Sequence, residues 1–261
     1  MDNTRGFTLI EVLIAMFVSL VIMGGAYMFF NNQQRQTTIQ TNVSDAQQTL
    51  RAAMDFMSRD IRMIGYDPTN SDNFGITDIK FRDLDDSTST TGNSFIRFTW
   101  DKIEDGVVAN DETIDFGLVD SATITPGITD LYLRLPNDTN TRDVLSANII
   151  SLGLAYAYDN DNNGELDTDG AGDIIWAVDK DNDDDWDSLN TTTGVTAETG
   201  TPIDESTIRA VRIWLLSQSL SPDPKYTDTN TYIVGSHIIT PNDNFRHRLQ
   251  ERTVLCRNMG L

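Results

Sequence analysis

The chain changes hydrophobic rhythm twice. From Val12 to Phe30 it runs for 19 residues without a charged side chain, and roughly 20 apolar residues are enough to cross a bilayer as a helix. Beyond that run the apolar positions thin out to Ile39, Val43, Ala46, Leu50, Ala53, Met54, Met57, Ile61 and Ile64. A recurrence of three or four places them on one stripe of a helix. Gln, Thr, Asn, Ser, Asp and Arg fill the rest of the surface, so the stripe reads as packing against a folded domain and not as a cofactor box. Gly65 and Pro68, in "IGYDP", end the pattern, because both residue types disfavour continuing a helix. An unbroken helix from Thr8 to Ile64 would be about 85 Å long at 1.5 Å per residue, with Gly24-Gly25 the natural place to bend or unwind.

After Pro68 the period becomes two. In "NIISLGLAYAYD", Ile150, Leu152, Leu154, Tyr156 and Tyr158 face one way and Ile149, Ser151, Gly153, Ala155 and Ala157 the other. That is a strand with a bulky face and a small one, and the small face leaves room for a helix to approach closely. Segments 95–100, 113–119, 130–135, 173–178, 208–217, 231–239 and 252–257 also read as strands, with turn-forming residues between them. Segments 83–94 and 188–202 lack an apolar period and are rich in Ser, Thr, Asp and Gly, which predicts mobile loops. The fold class is α+β: one long N-terminal helix packed on a C-terminal antiparallel β-sheet domain. Residues 7–30 form its membrane half, 31–64 its amphipathic half, and 65–261 a β-rich domain large enough for a substantial core.

Charge narrows the partners. The chain carries 40 acidic and 19 basic side chains, a formal net charge of -21, which argues against nucleic acid, whose phosphates call for a basic surface. Cys256 is the sole cysteine, so an intramolecular disulfide is impossible and topology must supply the compartment. Arg5, the one basic residue ahead of the apolar run, weakly favours a cytoplasmic N-terminus and a domain outside the cytoplasm. A cleaved secretory signal fits poorly, because the run is too long and leads directly into more helix. Glu11 stands at the lip of the run, where a carboxylate is costly and signals a partner.

The acid is concentrated. Between Asp159 and Asp187, 29 residues hold 12 acidic side chains against Lys180 alone, a density that repels itself without a counter-ion. Within it "DNDNNGELD" offers Asp159, Asp161, Asn163, Glu165 and Asp167 around Gly164. This is the D-x-D-x-N-G arrangement in which alternate side chains turn towards a hard cation and glycine allows the sharp turn. It departs from an EF-hand at the twelfth position, where Gly170 replaces the bidentate Glu, and in being flanked by strands. "DKDNDDDWD" repeats the register more weakly with Asp179, Asp181, Asp183 and Asp187, because Asp184 stands where glycine would be. The alternative is that Asp and Asn merely populate turns. The strand between the loops sets them about 20 Å apart at 3.3 Å per residue, so two structural Ca2+ sites or one are expected, and not a shared cluster. Catalysis has little support. His237 lies in an apolar strand and His247 between two arginines, neither beside a nucleophile motif, and no organic cofactor motif is present.

"RGFTLIEVLIA" resembles the class III signal of type IV pilins and type II secretion pseudopilins. The resemblance implies that residues 1–6 are a leader, that prepilin peptidase cuts after Gly6 on the cytoplasmic side and methylates Phe7, and that Glu11, fifth in the mature chain, pairs with the N-terminal amine of a neighbouring subunit. "YAYDNDNNGELD", "IRAVRIWLLSQS" and "FRHRLQERTVLCRN" are similar to segments of W-type minor pilins. The implied function is structural: a minor pilin priming type IV pilus assembly in a tip complex, with other minor and major pilins, the inner-membrane assembly platform and prepilin peptidase as partners. Its location would be the inner membrane, single pass, and then the pilus at the cell surface. A J-type pseudopilin of a type II secretion system and a tip adhesin or ligand-binding module are the alternatives.

Overall fold

The structure, a computed structural model, describes residues 8–81, 93–120, 129–134 and 142–260. The chain divides into two compact units, Met1–Ser44 and Asp45–Leu261. In the first, the helix α1 (Leu9–Ile61) begins after Thr8 and continues through Gly24 and Gly25 without interruption. The apolar side chains of its opening stretch are exposed, and this part is long and apolar enough to cross a membrane. The Ser19 hydroxyl donates to the carbonyl of Ala15 at 2.7 Å, so its one hydrogen-bond donor is satisfied within the helix.

The second unit opens with the last turns of α1. Leu50, Ala53, Met54, Met57 and Ile61 are buried, as the helical stripe requires. Five strands, β1 (Ile76–Phe81), β2 (Ser94–Thr99), β3 (Thr113–Asp120), β4 (Thr129–Arg134) and β5 (Arg142–Ser146), form an antiparallel sheet in chain order. A second antiparallel sheet has the order β13-β10-β6-β7-β8-β9. Its members are β6 (Ile149–Tyr158), β7 (Ala177–Val178), β8 (Asp185–Leu189), β9 (Thr196–Pro202), β10 (Ile208–Gln218) and β13 (His247–Leu255). A hairpin of β11 (Tyr232–Val234) and β12 (His237–Ile239) completes the fold. One apolar cluster joins the α1 stripe to Phe98 and Phe116 of the first sheet and to Leu152, Leu154, Val211 and Ile213 of the second.

The helix therefore packs on the bulky face of β6, not the small one. Larger side chains give it more apolar contact, and the small face is used for a closer approach by backbone. A Cβ built on Gly153 would lie 2.6 Å from the carbonyl carbon and oxygen of Val234, so the β11–β12 turn rests directly on the strand. That turn also corrects the reading of 231–239 as one strand, since Gly235 takes φ +62 and reverses the chain. Residues 188–202 are not a mobile loop. They contain the end of β8 and all of β9, an edge strand held through backbone pairing with its side chains largely exposed, so the sequence carries no apolar period to reveal it. The strand expected over 173–178 shrinks to Ala177–Val178. Most of the loop expected over 83–94 lies outside the described residues; of it, Ser94 begins β2.

The end of α1 is fixed by the C-terminus of the domain. Gly65 at φ +71 abuts Met259, whose sulfur would be 2.6 Å from an added Cβ, and the Asn258 amide donates to the carbonyls of Arg62 and Ile64 at 3.3 and 3.5 Å. On the exposed side, Arg252 of β13 reaches Asp55 at 2.6 Å and Ser58 at 3.3 Å.

Candidate functional site

At the start of α1, Thr8 and Glu11 make a capping box. The Thr8 backbone N–H and hydroxyl both donate to Glu11 Oε2, at 2.8 and 2.9 Å, and the Glu11 N–H reaches the Thr8 hydroxyl at 3.4 Å. Such an arrangement satisfies amide groups that a helix N-terminus leaves free, and a carboxylate there is favoured by the helix dipole. Glu11 thus has a local partner, Thr8, which the sequence reading overlooked although T-x-x-E spells it. Gly6 and Phe7 lie outside the described residues.

The first acidic loop follows β6. Asp159 is buried, its Oδ1 accepting the N–H of Asn163 at 3.0 Å and its Oδ2 that of Gly164 at 2.9 Å. Burial works to raise its carboxyl, but the amides of Gly164 and Asn163, helped by the charge of Arg209, outweigh it and hold the group below the usual range. Gly164 takes φ +85, as the sharp turn demands. The carboxylates of Asp159, Asp161 and Asp167 bring oxygens within 4.8 Å of one another. Asn163 lies beside them, bonded to Asp161 through its side-chain amide at 3.1 Å, whereas Glu165 is exposed and belongs to no carboxylate group. Arg209, buried in β10, donates to Asn162 at 3.2 Å and to the Ser206 carbonyl at 2.6 Å, which sets a cation beneath the loop.

In the second loop Asp179, Asp181 and Asp183 come within 4.8 Å of one another. Asp187 turns away and accepts the Lys180 N–H at 2.9 Å. Asp183 forms a further group with Asp185 and Glu198 of β9. Partial loss of solvent, and then the like charges of Asp187, Asp183, Asp181 and Asp185, raise the Glu198 carboxyl. A third group escaped the sequence reading. Asp101, Asp105 and Glu112 come together in the loop before β3, with Asp101 and Glu112 fully buried. Asp101 accepts the amides of Glu104, Asp105 and Gly106, and Glu112 those of Lys102, Ile103 and Ala109. "DKIEDG" carried the signal, an Asp followed five positions on by Gly, as in Asp159 and Gly164.

The donor set of the first loop, three hard carboxylate oxygens, fits calcium, although Asn163 turns its amide N–H to Asp161 and its Oδ1 accepts the Glu165 N–H at 2.8 Å. The second loop fits less well, because an ammonium already stands in it: Lys80 Nζ lies 3.5 Å from Asp179 and 2.5 Å from Asp184.

Residues 116–258, more than half of the chain, match the family of type IV pilus-assembly protein W. The chain belongs to that family. The prokaryotic N-terminal methylation motif matches residues 1–27, and prepilin peptidase-dependent protein B matches residues 39–127. The chain is accordingly a structural pilus component of the class processed by prepilin peptidase, and not an enzyme. No curated protein matches it in sequence. Among solved structures, a type IV-like pilin from Thermus thermophilus aligns over 82% of this chain and 97% of its own, at 11% identity and a TM-score of 0.40. At that score the likeness adds no weight to the family match.

Proposed function

We propose that this chain is a minor pilin that primes filament assembly in a tip complex with other minor pilins, after cleavage between Gly6 and Phe7 and methylation of Phe7. The observation that carries the reading is the Thr8–Glu11 capping box at the head of an uncharged, exposed apolar run, in a chain of the W family. Before assembly, Glu11 is held by its own helix start. Once the leader is removed, the amine of a neighbouring subunit's Phe7 offers a full positive charge, and apolar helices that bundle exclude water from the pair. The membrane half of α1 then serves first as a single-pass anchor, with the β-rich domain outside the cytoplasm, and afterwards as part of the filament core. The inner-membrane assembly platform and the major pilin complete the partner set.

Removing one member of a desolvated ion pair costs roughly 3–5 kcal/mol, because the other charge is left buried and alone. Glu11→Ala is therefore expected to give a chain that is inserted and processed yet absent from sheared filaments and from co-purified minor-pilin complexes. Incorporation at the wild-type level would refute the role given to Glu11.

We further propose a structural calcium ion in the first loop, held by Asp159, Asp161 and Asp167. A weak extracellular-type site with Kd near ~0.1 mM would add about 1.4 kcal/mol of stability in ~1 mM calcium, or about 3–5 °C in Tm for a domain of this size. Differential scanning calorimetry with calcium and with EGTA measures it. The shift should vanish in Asp161→Asn with Asp167→Asn, and its absence from the unmodified chain would exclude the site.

A further inference from the structure

The turn between β7 and β8 repeats the register of the first acidic loop with one change of chemistry. In the first loop Asp159 accepts the amides four and five residues on, Asn163 and Gly164. In the second, Asp179 Oδ1 accepts the amide four residues on, Asp183, at 3.2 Å, but its Oδ2 faces the ammonium of Lys80 at 3.5 Å. Asp184 occupies the glycine position in the glycine conformation, φ +68, and places its carboxylate 2.5 Å from the same ammonium. Asp179 is buried and Lys80 only a quarter exposed, a setting in which a carboxylate needs a partner. Beside them the Asn182 amide grips the backbone of Phe81, accepting its N–H at 2.7 Å and donating to its carbonyl at 3.3 Å. Lys80 and Phe81 end β1, the edge of the five-stranded sheet, and the Phe81 ring stacks on His237 of the hairpin at 4.6 Å.

We propose that Lys80 is the resident cation of the second acidic loop, filling the place a divalent ion would take and, with Asn182, latching the edge of the five-stranded sheet to the six-stranded one. Calcium entering among Asp179, Asp181 and Asp183 would have to displace the ammonium or sit beside it, and a unit charge a few ångströms away weakens binding at least about tenfold. The loop is thus an internal salt link in which one chain supplies both acid and base. The proposal rests on the calcium reading of the first loop only for the number of ions bound.

The test is terbium luminescence of the full chain in detergent micelles, excited through Trp186, which follows the second loop directly and stacks on Tyr158 at the mouth of the first at 5.4 Å. Asp181→Asn, at an exposed position that belongs to the second-loop group alone, should leave the native response unchanged, whatever its size; a fall of more than about twofold, well below the tenfold expected of a competing charge, would overturn the proposal. Lys80→Met should add a terbium site that Asp181→Asn removes, and no gain in a folded variant would also overturn it. If Lys80→Met does not fold, the Asp181 substitution in the native chain decides. An unchanged response in Asp161→Asn with Asp167→Asn would remove the first-loop calcium site while leaving the lysine latch standing.

Discussion

Aspartate is the residue this domain uses most often to shape its loops. Asp67, Asp101, Asp159 and Asp179 each accept backbone amides from residues shortly after them, the side chain standing in for a turn hydrogen bond. Asp228 carries this furthest. Burial works to raise its carboxyl, but the Tyr232 hydroxyl at 2.8 Å, the Asn230 amide groups at 3.1 and 2.7 Å and the His247 ring at 3.0 Å outweigh it and hold the group at about 2. A carboxyl whose folded pKa lies below its unfolded value of about 3.9 contributes stability that is complete above that value and is lost as pH falls through the folded one. Asp228→Asn should lower stability by on the order of 1–2 kcal/mol at pH ~6, less than the full shift implies because the amide oxygen can still accept a hydrogen bond, and the gap from wild type should narrow as the pH approaches ~2. Urea denaturation across that range measures it, and a gap independent of pH would contradict the assignment. The register of Asp159, Asp161 and Gly164 was legible because its members are neighbours in the chain. Lys80 and Arg209, the cations that balance the two loops, were not, because the fold brings them from 99 and 47 residues away.

Among the elements, those with a strong period were the ones the sequence announced. The α1 stripe, β2, β3, β4, β6 and β10 all bury an apolar face or lie in the middle of a sheet, and each imprints its spacing on the chain. The edge strand β9 is held by backbone pairing and leaves little trace, whereas the apolar run 173–178 announced more strand than the two residues that pair as β7. Division into two sheets was equally hidden, since pairing partners are set by long-range contact and not by local pattern. The clearest element-level constraint is Gly153, which admits the backbone of the β11–β12 turn. Gly153→Ala should destabilise the domain by about 1–3 kcal/mol, the usual range for overpacking a tight site, because the neighbour that must move is main chain. Gly170→Ala, where an added Cβ meets nothing within 4 Å, is the control and should change stability by less than about 0.5 kcal/mol. Equal Tm values for the two variants would show that the hairpin does not rest on β6 as described.

At the scale of the molecule, the chain combines an apolar helix with no cover of its own, a β-rich domain with its own core, and a strongly acidic balance of charge. The first is unstable in water alone, so it must be met either by lipid or by the same helix in other subunits. Membership of the type IV pilus-assembly protein W family supplies the setting in which both can occur. The proposed account turns on a single covalent event, the cut after Gly6, which creates the amine that Glu11 is to meet. Mass spectrometry of the N-terminal peptide from the chain isolated from its own membranes or filaments tests this most directly. The account predicts a mature chain that begins at Phe7 and carries one methyl group on its amine; a chain retaining Met1 to Gly6, or one cut beyond the apolar run, would contradict it.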